Sequence, residues 1–339
     1  MRLLHWFLGT FLAHSPFASA AAIIKETQPI VQITRDARRA NLTLGNPLDR
    51  RFGIGVDYDL PLLTAISCLM NAVNGLAILA ELDFQSRLPG ALRITLSRYS
   101  DVEVEFEPVP PATHIDVRIM IWGLYAGIYD MLVYQKWKTA EFDLYWRSVS
   151  VAWIRFEGRR RVVGTSVESP DSRNRSDSAL SINSTGSIWA ATSDITTARV
   201  MPDNEVPTVE FFYLPSGETI APKTVFITVL ATLRKLAEFS VSDIIVPFES
   251  GEDGFDANIR FLPERHPRTM SPFNKYRWAI DAVRQIPGYM LAHKMFAELA
   301  IVMTVDGVTV GTGMLRKRNA GPEYRVVSNV RPNVNVSVS

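Results

Sequence analysis

Shifted against itself by 160 positions, the chain repeats its own hydrophobic pattern: Ile66, Met70, Val73, Leu76 and Ala77 fall on Phe226, Leu230, Leu233, Leu236 and Ala237. The correspondence then continues in order with a small drift. Phe106 meets Phe261, Trp122 meets Trp278, and residues 140–144 meet 297–301. One match arises by chance, but an ordered series with loop-sized drifts is the signature of a tandem duplication. Such a chain must build one stable unit and then a second on the same plan.

Each unit reads alike. A strand at 52–58 (second copy 209–214) precedes a helix at about 61–84 (222–239), with Pro61 and Pro222 in the first turn, where a missing N–H is harmless. A strand pair follows, 92–98 with 102–107, matched by 243–248 with 256–262. A second helix at about 113–136 (271–294) leads to a closing hairpin, 141–147 with 149–156, matched by 297–305 with 308–315. Asp306-Gly307 is a tight-turn signal for the last hairpin. The order is β-α-β-β-α-β-β in each copy, an α+β class whose first six elements match a ferredoxin-like split β-α-β sandwich. Two copies predict a pseudo-two-fold arrangement, packed sheet to sheet or edge to edge. The expected plan is a signal peptide at 1–20, an extension or pro-segment at 21–51, a first unit at 52–158, a Ser/Thr-rich linker at 159–207, a second unit at 208–318 and a tail at 319–339.

The N-terminus reads as an address. Met1-Arg2 supplies a positive start, residues 3–12 are apolar except His5 and Thr10, and Ala18-Ser19-Ala20 places small residues where signal peptidase needs them. That is the layout of a secretory signal cleaved after Ala20, and its apolar run is far below the ~20 residues that span a bilayer. Sequons at Asn41, Asn174, Asn183 and Asn335 lie outside the patterned blocks, as bulky glycans require. Basic clusters at Arg38-Arg39, Arg50-Arg51, Arg159-Arg160-Arg161 and Lys317-Arg318 sit mostly at unit edges, and cleavage after Arg51 would remove the pro-segment.

Composition excludes several classes. With 36 Lys+Arg against 35 Asp+Glu there is no excess charge to hold a nucleic acid, and 47% hydrophobic residues are too many for a disordered chain. The single cysteine forbids an intrachain disulfide framework or a Cys-rich zinc module. Residues 60–80 carry no charge, long enough to suggest a membrane span. The duplicate helix, however, carries Lys223, Arg234, Lys235 and Glu238, so both copies are expected to be amphipathic core helices, with no integral span. A weaker alternative lays this helix on a membrane surface.

Candidate chemistry is sparse. Cys68 lies in the apolar helix opposite Thr228 and reads as a small buried hydrophobe. His114, His266 and His293 follow the signal segment without metal-ligand spacing, and no nucleophile elbow, P-loop or dinucleotide fingerprint occurs, so no cofactor or metal is expected. Asp101, Glu103, Glu105 and Glu107 alternate along one strand and read as a solvated face. Trp122, Trp137, Tyr145, Trp146 and Trp153 read as core packing rather than a sugar platform.

In overall pattern, most clearly over blocks such as 297–315, the chain resembles secreted proteins of filamentous fungi to which no activity attaches. Residues and resemblance together lead to a secreted, glycosylated, non-catalytic protein that binds an extracellular partner or small ligand. The alternative is a secreted enzyme whose site lies between the units, with Asp57 or Asp59 beside His114 or His266.

Overall fold

The charge-free stretch becomes helix α1 (Ala65–Ala80), in which every side chain from Ser67 to Ala80 is buried. No one face of the helix accounts for this: α1 packs on strands of one sheet and also against helices of the other unit. The computed structural model describes residues 49–159, 180–184, 207–263, 274–305 and 307–318. The signal segment, most of the extension, the tail, His266, Asn41, Asn174 and Asn335 lie outside the described residues.

In the first unit β1 (Phe52–Leu62) precedes α1, and β2 (Arg87–Pro89) leads into β3 (Leu92–Leu96) and β4 (Val102–Pro108). β5 (His114–Asp116) then enters α2 (Val117–Val133), and β6 (Lys138–Trp146) and β7 (Val149–Gly158) close the unit. A short strand β8 (Leu180–Ser184) follows. The second unit repeats the order as β9 (Thr208–Tyr213), α3 (Pro222–Leu236), β10 (Phe248–Ser250), β11 (Ala257–Pro263), α4 (Tyr276–His293), β12 (Leu299–Val305) and β13 (Val308–Lys317). Sheet order is β1-β6-β7-β4-β3-β8 in one unit and β9-β12-β13-β11-β10 in the other, the same five-strand arrangement twice. The fold is α+β and duplicated.

Two expectations are corrected. The sheets are not ferredoxin-like: that order would put the first strand beside the third, whereas here the closing hairpin inserts between β1 and β4. Arg147 and Ser148 both take positive φ (51° and 69°), a tight turn that keeps β6 and β7 adjacent, so they enter the sheet as a pair. Nor do the units meet by their sheets. α1 packs on α3 and α4, and α2 on α3, giving a sheet–helix–helix–sheet sandwich. Exchanging the units maps the α1–α4 contact onto α2–α3 and α1–α3 onto itself, which is the relation of a pseudo-two-fold axis.

The helix layers meet because these helices are apolar on more than one side. Lys223 and Arg234 of α3, expected on a solvated face, are 9% and 6% exposed at the unit boundary. Lys223 Nζ reaches the carbonyl of Val133 at 3.5 Å, and Arg234 lies 5.2 Å above the Tyr125 ring. Burial lowers the Lys223 pKa. With both its sides covered, α1 has no face to lay on a membrane, and among the described residues no helix is long and apolar enough to cross one. Each fully buried Leu, such as Leu69, Leu76 and Leu79, contributes about 1.5–3 kcal/mol. Asn71 is the polar exception: its Nδ2 donates to the carbonyl of Tyr99 (2.9 Å) and its Oδ1 accepts from the N–H of Leu96 (2.6 Å), fastening the β3–β4 turn to the helix.

The inter-unit segment is more than a linker, because Leu180–Ser184, which includes Asn183, pairs in parallel with β3. The predicted strand at 243–248 shrinks to Phe248–Ser250, since Ile244 makes only an isolated bridge to Lys275.

Candidate functional site

Helix α4 carries an internal proline, Pro287, which cannot donate to the carbonyl of Val283, and Gly288 follows it. With no side chain at Gly288, this turn of the helix leaves space beside Met70, the nearest atom to a Cβ built there lying 3.9 Å away. Between α4, β9, α1 and the end of β3 lies a cleft of about 840 Å³, lined by both units but with twice as many residues from the second as from the first. Met70 from α1 faces Gly288 and Tyr289 from α4, with Phe211 of β9 alongside; Asn74, Glu210 and Arg284 supply the polar groups.

Its wall is aromatic. The Tyr289 ring stands 5.0 Å from Phe211 and 5.5 Å from Tyr213, and the His293 ring lies 4.1 Å from it at a tilt of 36°. Hydrogen bonds fix these rings. Tyr289 donates to the carbonyl of Phe211 (3.1 Å) and Tyr213 to that of Met295 (2.7 Å). His293 Nδ1 lies 2.8 Å from the Tyr289 carbonyl, which can only accept, so Nδ1 carries the proton. Arg284 is held by Asp281 at 2.6 Å. Beside the N-terminal half of α4, half-buried Glu81 sits close to Arg284, Asp281 and Arg277, and burial pushes its carboxyl up to about 7.

The pseudo-two-fold partner of this cleft is filled. In the register that matches Trp122 with Trp278, Gly288 stands where the first unit has Leu132; in the register of the first helices, Asn74 stands where the second has Arg234. On the filled side Tyr125 donates to Glu252 at 2.7 Å, and Phe255 meets Tyr129 edge-on at 6.3 Å. Two small residues on one side, and a loop carrying Glu252 and Phe255 on the other, make the duplicated sandwich one-sided.

Among the described residues the acid–histidine pairing of the alternative reading is not assembled around His114, while His266 lies outside them. Asp57 and Asp59 are exposed on β1, His114 is exposed on β5 with its Nδ1 2.8 Å from the Thr113 hydroxyl, and none of them lines the cleft. Among the described residues no group of His, Cys, Asp and Glu could hold a metal ion. Cys68 is fully buried, and burial pushes its thiol up to about 12. The expected solvated acidic row is instead an ion ladder. Arg93, Glu105, Arg155, Glu141 and Asp57 follow one another across β3, β4, β7, β6 and β1. Arg93 meets Glu105 at 2.6 Å, Arg155 meets Glu141 at 2.6 Å, and Arg159 meets Glu103 at 3.1 Å. Glu105 is only 4% exposed, so its strand neighbours rather than water neutralise it.

Of the aromatic crowd, Trp122 packs between Phe52, Phe84 and Trp146, and Arg51 and Arg118 cover the Trp146 ring at 4.6 and 4.8 Å. Arg51, the proposed processing site, is further held by Asp49 at 2.9 Å. Sequence reading did not find Phe211, Glu210, Arg284 or Gly288. The one signal available was Pro287-Gly288 within an otherwise helical pattern.

No family model matches the sequence, and no curated protein matches it. Among solved structures, the tandem DUF26 ectodomain of the cysteine-rich receptor-like protein PDLP8 from Arabidopsis thaliana is 5% identical, covers 78% of this chain and 96% of its own, and superposes with a TM-score of 0.20. A conserved protein of unknown function with a hot dog fold, from Alicyclobacillus acidocaldarius, is 10% identical over 81% of this chain and 96% of its own, with a TM-score of 0.10. Likenesses this loose say nothing about what this chain binds.

Proposed function

We propose that the chain is a secreted, non-catalytic binding protein whose ligand occupies the cleft between its two units. The observation that carries this reading is the one-sidedness of the sandwich. A duplicated fold with helices packed layer on layer needs no opening, yet Gly288 and Asn74 hold one open where Leu132 and Arg234 stand on the other side. An apolar, aromatic wall with a few polar groups is the ordinary make-up of a ligand site. Secretion is supported by the layout of residues 1–20 and by the four sequons, and a glycan on any of Asn41, Asn174, Asn183 or Asn335 belongs to the same reading.

Fluorescence titration with 8-anilinonaphthalene-1-sulfonate, an aromatic anion suited to the cleft, tests this proposal. Native full chain is expected to bind it saturably at one site, and Gly288→Trp, which fills the cleft, is expected to abolish that binding while keeping the far-ultraviolet circular dichroism. Equal binding by both proteins would place the probe elsewhere and remove the support.

A further inference from the structure

The cleft meets β9 edge-on. Four consecutive residues, 209–212, line it, although neighbouring side chains on a strand point to opposite faces. Only the strand's edge is shared by all four. Among the described residues β9 is the last strand of its sheet and pairs with β12 alone.

The ladder determines which backbone groups face outward. Leu214 N–H donates to the carbonyl of Glu298 (3.2 Å), and β9 runs antiparallel to β12 with Tyr213 opposite Leu299. Hydrogen-bonded and non-bonded pairs alternate along such a ladder. Phe212 and Glu210 are therefore bonded to β12, while Val209, Phe211 and Tyr213 turn their N–H and C=O away from it. The carbonyl of Phe211 shows this directly, because it accepts from Tyr289 rather than from the sheet. That leaves the N–H of Phe211 and both polar groups of Val209 directed at the cleft.

Resting on the cleft as the binding site, we propose that its ligand is an extended peptide that adds to β9 as a further antiparallel strand. Main-chain groups spaced along an edge are matched by another strand and not by a compact small molecule. The side chains set the pattern. Phe211 lies on the inner face against Tyr289, so peptide residues opposite Phe211 and Val209 point toward α1 and Met70 and are apolar. Between them, the residue opposite Glu210 shares the outer face with a carboxylate that is exposed and, among the described residues, makes no ion pair; a Lys or Arg there completes a cross-strand charge pair. The recognised pattern is apolar–basic–apolar.

The probe is the acetylated, amidated peptide Ser-Thr-Val-Lys-Val-Thr-Ser, titrated into the full chain and followed by amide hydrogen exchange. Exchange at Val209 and Phe211 is expected to slow by about tenfold or more, while Glu210 and Phe212, already bonded, change little. N-methylation at both valines, which keeps the side chains, is expected to lower affinity by about tenfold or more, as is Val209→Pro. Replacing the lysine by glutamate weakens binding further. If the peptide fails while the naphthalene sulfonate still binds, or if N-methylation and Val209→Pro are neutral, strand addition is overturned and the cleft reading stands. If neither probe binds, both fall. Slow Val209 and Phe211 amides in a concentration-dependent dimer, with no peptide added, would assign the edge to a second copy and overturn the inference.

Discussion

Tyr125, in the middle of α2, donates a 2.7 Å hydrogen bond to Oε2 of Glu252 in the other unit, and both side chains are fully buried. Burial first, and the carboxylate second, push the Tyr125 phenol well above its ordinary range. Within a mainly apolar boundary this pair fixes the register of α2 on the second unit, since sliding would cost the carboxylate a donor. Tyr125→Phe is expected to lower stability by about 1–3 kcal/mol, seen as a lower urea midpoint at unchanged slope. An unmoved midpoint would mean the pair contributes nothing.

Two helix glycines should respond to alanine with opposite signs. A Cβ at Gly288 would meet nothing closer than the Met70 methyl at 3.9 Å, so Gly288→Ala is expected to stabilise by about 0.5–1 kcal/mol through helix propensity. A Cβ at Gly123 would lie 2.6 Å from Leu144 and 2.9 Å from Ile154, both fully buried. Gly123→Ala is therefore expected to cost about 1–3 kcal/mol despite the same propensity gain. Thermal melts of the two variants check the pair.

Proline scanning of β9 tests which groups face the cleft. Val209 N–H points away from β12, so Val209→Pro removes no ladder bond and is expected to cost less than about 1 kcal/mol. Glu210→Pro removes one and is expected to cost about 1–3 kcal/mol. Equal costs by chemical denaturation would mean the parity is wrong.

Glu81 gives the molecule a pH dependence. It caps the C-terminal end of α1, where the helix dipole disfavours an anion, and burial raises its carboxyl from 4.5 to about 7. With the folded pKa above the unfolded one, the group's stabilising contribution is full below about 4.5 and is lost as pH rises through about 7. Glu81→Gln stays neutral, so near pH 8 it is expected to exceed the wild type by about 1–3 kcal/mol, the gap closing near pH 4. Thermal midpoints at the two pH values measure it, and a constant gap contradicts the assignment.

Much of the fold was legible because period and order are local properties. Alternation in Val102, Val104 and Phe106 and the repeated Trp122/Trp278 helices locate the elements, and Gly307 does take the positive φ of 75° that its turn signal requires. Packing between units was not legible. Charges at Lys223 and Arg234 suggested a solvated helix face, but a carbonyl at Val133 and a ring at Tyr125 accommodate them inside. Sheet order was missed although the closing hairpin was legible, because nothing local to residues 141–156 says whether the pair adds at an edge or inserts between β1 and β4. The site left almost no trace. It consists of a strand edge and apolar side chains, which look like core in one dimension, and only Pro287-Gly288 broke the pattern.

Methionine methyl resonances give the most direct test of the central claim. Met70 lines the cleft, while Met120 and Met131 are fully buried within the first unit. On titration with 8-anilinonaphthalene-1-sulfonate, the Met70 methyl signal is expected to move and saturate while those of Met120 and Met131 stay in place. A stationary Met70 signal at saturating probe, or equal movement of all three, would contradict a ligand site between the units.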